Sequence, residues 1–134
     1  MTNKDVEAIL VSNLSSSLST SGYDFVPENT PYSVTKDSPY VEGFFMPSNP
    51  EERMFSGAYM FVGLYQCSIH VPANNGTGLF HTITESIEDS LKGNLRTSGI
   101  SGRVCITSMS ISPAQNDKVW YNRAITFTWR AFNE

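Results

Sequence analysis

Hydrophobic and polar positions alternate most regularly between Ala58 and Lys92, and the rest of the chain is read around that stretch. Successive side chains of a strand point to opposite sides. Tyr59, Phe61, Tyr65, Cys67, Ile69 and Val71 therefore share one face, and Met60, Val62, Leu64, Gln66, Ser68 and His70 share the other. The first face is apolar throughout; the second turns polar after Leu64. Pro72 stops the strand because it has no N–H to donate. Asn74 to Gly78 reverse the chain, and Thr77 is positioned to cap a helix. Phe80, Ile83, Ile87 and Leu91 then recur at helical spacing, with Gly93 as a natural C′ residue. This is a two-layer unit: a sheet face covered by a helix.

The flanking segments extend the pattern. Thr2 to about Leu18 reads as a first helix with an apolar stripe of Val6, Ile9, Leu10, Leu14 and Leu18. Thr2 and Asp5 resemble a capping box, with Asp in place of the usual Glu or Gln. Ser15, Ser16, Ser17 and Ser19 favour caps and turns, so the helix is expected to weaken after Leu14. Ser21 to Ser38 is irregular; Asp24–Val26 and Tyr32–Val34 are each a short strand or an extended arm, and such a segment often packs on its own domain or on another subunit. Tyr40 to Met46 is a strand, with Val41 and Phe45 opposite Tyr40, Phe44 and Met46. Ser48 to Gly57 is polar and charged and reads as a projecting flexible loop. Val104 to Ile111 is a strand, read with Cys105, Met109 and Ile111 on one side and Val104, Ile106, Ser108 and Ser110 on the other. Val119 to Ala131 is the last strand. Val119, Tyr121, Ile125, Phe127, Trp129 and Ala131 share a face, with Arg123 the exception. The order α-β-β-α-β-β predicts an α+β fold: a mixed, mainly antiparallel sheet of about four strands with two helices on one face.

Totals narrow the class without naming it. A chain of 134 residues is one domain, 1–134, by size. The net charge of −4 and nine unclustered Lys and Arg disfavour duplex binding. No run of about 18 apolar residues predicts a membrane span, and the polar, helical start is not a signal peptide. Asn13-Leu14-Ser15 and Asn75-Gly76-Thr77 then match a glycosylation pattern by chance. Cys67 and Cys105, read on apolar faces of separate strands, are expected to be reduced thiols.

Chemistry is sparse. His70 and His81 are not at i, i+4 spacing, and no acidic or thiol neighbour completes a ligand set. Gly99-Ile100-Ser101-Gly102 lacks the spacing of a nucleophile elbow. Gly76-Thr77-Gly78 precedes a helix but lacks the lysine of a P-loop and the third glycine of a dinucleotide fingerprint. Glu85, Glu88 and Asp89 form the solvated face of the second helix, or a negative wall toward a lumen or partner. Aromatic residues, by contrast, are abundant: eight Phe, six Tyr and two Trp. Both faces of Tyr59–Leu64 are apolar while helices cover one, so either Ser21–Ser38 or another subunit must cover the second.

The run Phe55-Ser56-Gly57-Ala58-Tyr59, Gly63 through Pro72, Gly76-Thr77-Gly78 with its helix, and the closing Asp117 to Ala131 with Trp120-Tyr121 resemble the tail terminator proteins of long-tailed bacteriophages. The resemblance extends from the first helix to the last strand, apart from Ser21–Ser38. It implies a non-enzymatic virion subunit, without cofactor, assembled in the host cytoplasm into a hexameric ring at the head-proximal end of the tail. The ring would cap the tail tube, stop its polymerisation and join the head. Its implied partners are further copies of itself, the tail tube protein and a head completion or connector protein, with DNA only passing through the channel. Glu51, Glu52 and Arg53 are then candidates for touching tube or connector, and Glu85, Glu88 and Asp89 for lining the channel. The alternatives are a head-closure, neck or tail-tube ring protein, and a small-ligand module or enzyme using the helix–sheet cleft.

Overall fold

The computed structural model describes residues 2–34, 38–47, 52–53, 59–73, 76–116 and 119–132. Two long strands form its centre, β4 (Tyr59–Pro72) and β7 (Trp120–Phe132). They pair antiparallel without a break from Met60↔Phe132 to Pro72↔Trp120. β2 (Tyr40–Pro47) lies antiparallel on the outer side of β4, and β5 (Arg103–Ile111) on the outer side of β7. β1 (Asp24–Val26) adds to β2 in parallel, which makes the sheet mixed. The path is β1-β2-β4-β7-β5; two-residue strands β3 (Glu52–Arg53) and β6 (Gln115–Asn116) pair with β4 and β7. The principal path thus has five strands where about four are predicted. The extra strand is three residues long, too short for a period of two to register in sequence, and it exists only through its ladder to Tyr40–Glu42.

Two helices, α1 (Asn3–Thr20) and α2 (Gly78–Ser90), complete the fold. The α1 capping box forms as read: the Asp5 N–H donates to Thr2 Oγ1 at 3.3 Å, and the Thr2 N–H donates to Asp5 Oδ2 at 2.9 Å. The helix does not weaken after Leu14. Leu18 is fully buried in the same core as Val6, Ile9, Leu10 and Leu14, so tertiary packing outweighs the low propensity of the serine run. Ser17 also finds a partner outside its own helix: its Oγ donates to the Ser86 carbonyl of α2 at 3.3 Å. In α2 the apolar stripe Phe80, Ile83 and Ile87 is buried as predicted. Thr77 is the N-cap but makes no side-chain bond there. Leu91 is the C-cap, so the C′ position falls on Lys92, and Gly93, read as C′, stands one position beyond it with φ +74°.

One core joins both helices to a single sheet face. Val41, Tyr65, Cys67, Ile69 and Val71 meet Ile125, Phe127, Trp129 and Ala131 beneath the helices, the alternation expected of a sheet covered on one side. Burial pushes the Tyr65 phenol above its ordinary range. β5 departs from the predicted faces. Its register slips between Ile106 and Ser108 at a β-bulge, and the extra residue moves every later side chain to the other face. Val104 and Ile106 pair with Ala131 and Trp129 on the core side, but so do Met109 and Ile111, with Phe127 and Ile125. Cys105 pairs with Arg130 on the open side, not with Met109 and Ile111 as alternation implies.

The two cysteines are therefore unlike each other, and both are free. Cys67 is fully buried, and burial raises its pKa strongly. Cys105 is half-buried, its thiol donating to Asn94 Oδ1 at 3.0 Å. A thiolate-selective reagent is expected to titrate one thiol per native chain at once and the second only with unfolding, since reactivity follows thiolate fraction and access. Two equally fast thiols in the native protein would contradict the burial of Cys67.

Candidate functional site

Helices cover one face of the sheet; the other presents the even-numbered residues of β2, β4 and β7. Three zones follow one another across it. The first is an aromatic cluster. Tyr40 stacks on His70 with ring centroids 4.4 Å apart and meets Trp120 edge-on at 5.4 Å. Tyr32, from the irregular segment after β1, adds its ring 5.3 Å from Tyr40 and donates its hydroxyl to Asp24 at 2.8 Å. Burial first, then the bond to Asp24, pushes the Tyr32 phenol up to about 12. Of the two extended pieces predicted in this segment, Asp24–Val26 is a strand; Tyr32–Val34 forms none, and of it Tyr32 joins the aromatic cluster while Val34 is exposed.

His70 is held between β2 and β7. Its Nδ1 lies 2.5 Å from Asn122 Oδ1, and its Nε2 2.9 Å from Glu42 Oε1. The Glu42 contact is close but not aligned as a hydrogen bond, and Nε2 has no hydrogen-bond partner among the described residues. It is an ion contact when the imidazole is protonated. His81 stands exposed on α2, and no group of three His, Cys, Asp or Glu among the described residues is placed to hold a metal.

The second zone is a shallow basin of about 390 Å³ lined by Gln66, Ser68, Asn122 and Thr126 together with Ser112, Pro113 and Gln115. Hydroxyls and amides line it without the deep apolar pocket that small-molecule sites use. The third zone is apolar. Met46 and Leu64 are direct cross-strand partners, 38% and 39% exposed. Arg130 stands beside them, paired with Val62 and exposed.

The sequence-derived site residues fare differently. Glu51 lies outside the described residues. Glu52 and Arg53 do not belong to a free loop: they form β3, in register with Met60 and Tyr59, so part of Ser48–Gly57 continues the sheet. Glu85 and Asp89 are exposed on α2, and Asp89 is ion-paired to Lys92 at 2.9 Å. Glu88 turns away from them. It is half-buried at the rim of a groove shared with Leu91, Ile106, Met109 and Phe127. The aromatic cluster has no periodic signature, because residues 32, 40, 70 and 120 come from four separate segments. Only the pairing of Tyr40 with His70, and of His70 with Asn122, assembles it.

The described residues form a mixed sheet covered on one face by two helices, with an open face of aromatic, polar and apolar zones. The family model for phage tail terminator proteins matches residues 5–129, and the chain belongs to that family, which supplies structural components of the phage tail. Among curated proteins, none matches the chain. Among solved structures, one that bears no functional description is 15% identical and superposes with a TM-score of 0.74, covering 98% of this chain and 96% of its own. That likeness concerns the fold alone.

Proposed function

We propose that the protein forms a hexameric ring that caps the head-proximal end of the tail tube, stops its polymerisation and offers the surface to which the head is joined. The match to the tail terminator family across residues 5–129 carries this reading. The sheet face left open by both helices supports it, since such a face is what a ring subunit can spend on neighbours. The mechanism is geometric. A closed ring added at the growing end occupies the surfaces that would have received the next tube ring. The partners are further copies of the chain, the tail tube protein and a head completion or connector protein. Glu51, Glu52 and Arg53 are the proposed tube or connector contacts; their charges set register more than affinity. Glu85 and Asp89 form the proposed acidic border of the DNA channel, with Asp89 partly neutralised by Lys92, while Glu88, half-buried at the groove beside β5, stands at the edge of that border.

Molar mass from light scattering after size exclusion, with negative-stain images of each peak, tests the proposal. Six-fold rings are expected, either spontaneously or when tail tubes are added, and added rings are expected to halt tube growth. Long tubes from the pure protein would instead mark a tube subunit. A strict monomer indifferent to tubes would overturn the ring.

A further inference from the structure

A ring built from one kind of chain needs two different surfaces per subunit, because a surface that meets its own copy closes a dimer. The protein has two such surfaces. Four of the most exposed large apolar side chains among the described residues fall into two pairs. Met46 and Leu64 are cross-strand partners on the open face, at β2 and β4. Met109 and Ile111, 38% and 42% exposed, lie on the helix-covered face at the sheet's far edge, beyond the bulge of β5. The pairs are on opposite faces and different sides of the sheet, so neither can cover the other within one chain. A second copy, turned relative to the first, can.

The surroundings of the pairs are complementary. The Met109 side is a groove of about 430 Å³ whose apolar lining includes Leu91, Ile106 and Phe127. Its rim carries the half-buried carboxylate of Glu88, which has no ion-pair partner among the described residues; the neighbouring Lys92 is engaged by Asp89. The Met46–Leu64 side is a raised pair of side chains flanked by Arg130, exposed and likewise without an ion-pair partner among the described residues. One surface is apolar with a cation, the other apolar with an anion, each without an ion-pair partner among the described residues. A rim pair of this kind fixes which register is accepted.

We propose that Met46 and Leu64 of one subunit seat in the Met109 groove of the next, with Arg130 meeting Glu88, and that this heterologous contact repeats around the ring. The inference rests on the ring reading above and names its contact. Arg130→Glu and Glu88→Arg are each expected to lower the fraction of protein in rings at least tenfold at fixed concentration, with circular dichroism and thermal midpoint close to the parent; the double reversal is expected to restore rings. As a second measurement, Leu64→Cys with Met109→Cys in a Cys105→Ser background is expected to give a ladder of disulfide-linked oligomers on oxidation. Rings unaffected by either reversal, a double reversal that fails to restore them, or oxidised rings that stay wholly monomeric under denaturing conditions would overturn this contact while leaving the ring standing. A parent protein that forms no ring, alone or with tail tubes, would instead remove the ring reading and this contact with it.

Discussion

Trp129→Ala is expected to cost about 3–5 kcal/mol, the range for removing a buried large aromatic side chain. That is a large share of the roughly 5–15 kcal/mol that holds a domain of this kind together. Trp129 is fully buried and stacks on Phe45 with centroids 5.4 Å apart and ring planes 9° from parallel. It pairs with Gly63 of β4 on one side and Ile106 of β5 on the other, so its loss leaves a void under three strands. Its Nε1 is buried without an acceptor among the described residues, and an unpaired buried donor carries a penalty of about 1–3 kcal/mol. Trp129→Phe removes that donor and keeps a ring against Phe45. It is therefore expected to cost well under half as much as alanine. Urea unfolding of the three proteins checks both statements. A phenylalanine variant as unstable as the alanine variant would mean that the indole N–H is satisfied after all.

The same neighbourhood shows how far the sequence could be read. Every strand whose side chains alternate over seven or more residues was legible, because one buried face imposes a period of two. β4 and β7 keep the faces read for Phe61–Val71 and Tyr121–Ala131, and Val41 sits opposite Tyr40 as expected, whereas Val119, read at the head of the last strand, precedes β7 and is exposed. The helices were legible at their apolar stripes and less so at their ends. Leu18 extends α1 because burial outweighs serine propensity, and propensity is all that a local reading of those serines contains. β5 was misread from the bulge onward, since an inserted residue keeps the composition and changes only the phase. β1 was legible only as a short strand or an extended arm and β3 only as part of a loop, because two- and three-residue ladders depend wholly on partners distant in sequence. The candidate contacts divide in the same way. Glu85 and Asp89 are on the solvent face that helical spacing gives them, whereas the groove at Glu88 needs the bulge of β5, and the Tyr40–His70 stack needs the register of β2 on β4. The family resemblance was legible because it resides in the alternating strands and the glycine turn rather than in catalytic residues.

Gly63→Ala is expected to destabilise the protein by about 1–3 kcal/mol, the usual range for overpacking a filled core. A Cβ at Gly63 would come within 2.5 Å of Trp129 Cζ2, 2.8 Å of Trp129 Cε2 and 2.8 Å of the Met46 carbonyl oxygen. The indole can shift only by disturbing its stack on Phe45, and the carbonyl belongs to a paired strand. Both atoms named on Trp129 belong to the part of the indole that phenylalanine lacks. The cost of Gly63→Ala should accordingly be smaller in a Trp129→Phe background than in the parent, with a coupling between the two sites of about 0.5–3 kcal/mol, as for residues in direct contact. Strict additivity in urea midpoints would place the main obstruction at the Met46 carbonyl instead. The result also bears on assembly. Leu64 follows Gly63 on the opposite face, Arg130 follows Trp129, and Ile106 is the cross-strand partner of Trp129 on the groove side. One close packing of glycine against indole therefore fixes the strands that carry both proposed contact surfaces. A Gly63→Ala chain that still folds is expected to lose rings more steeply than its loss of stability alone accounts for, because displacing β4 from β7 alters the spacing of Leu64 and Arg130.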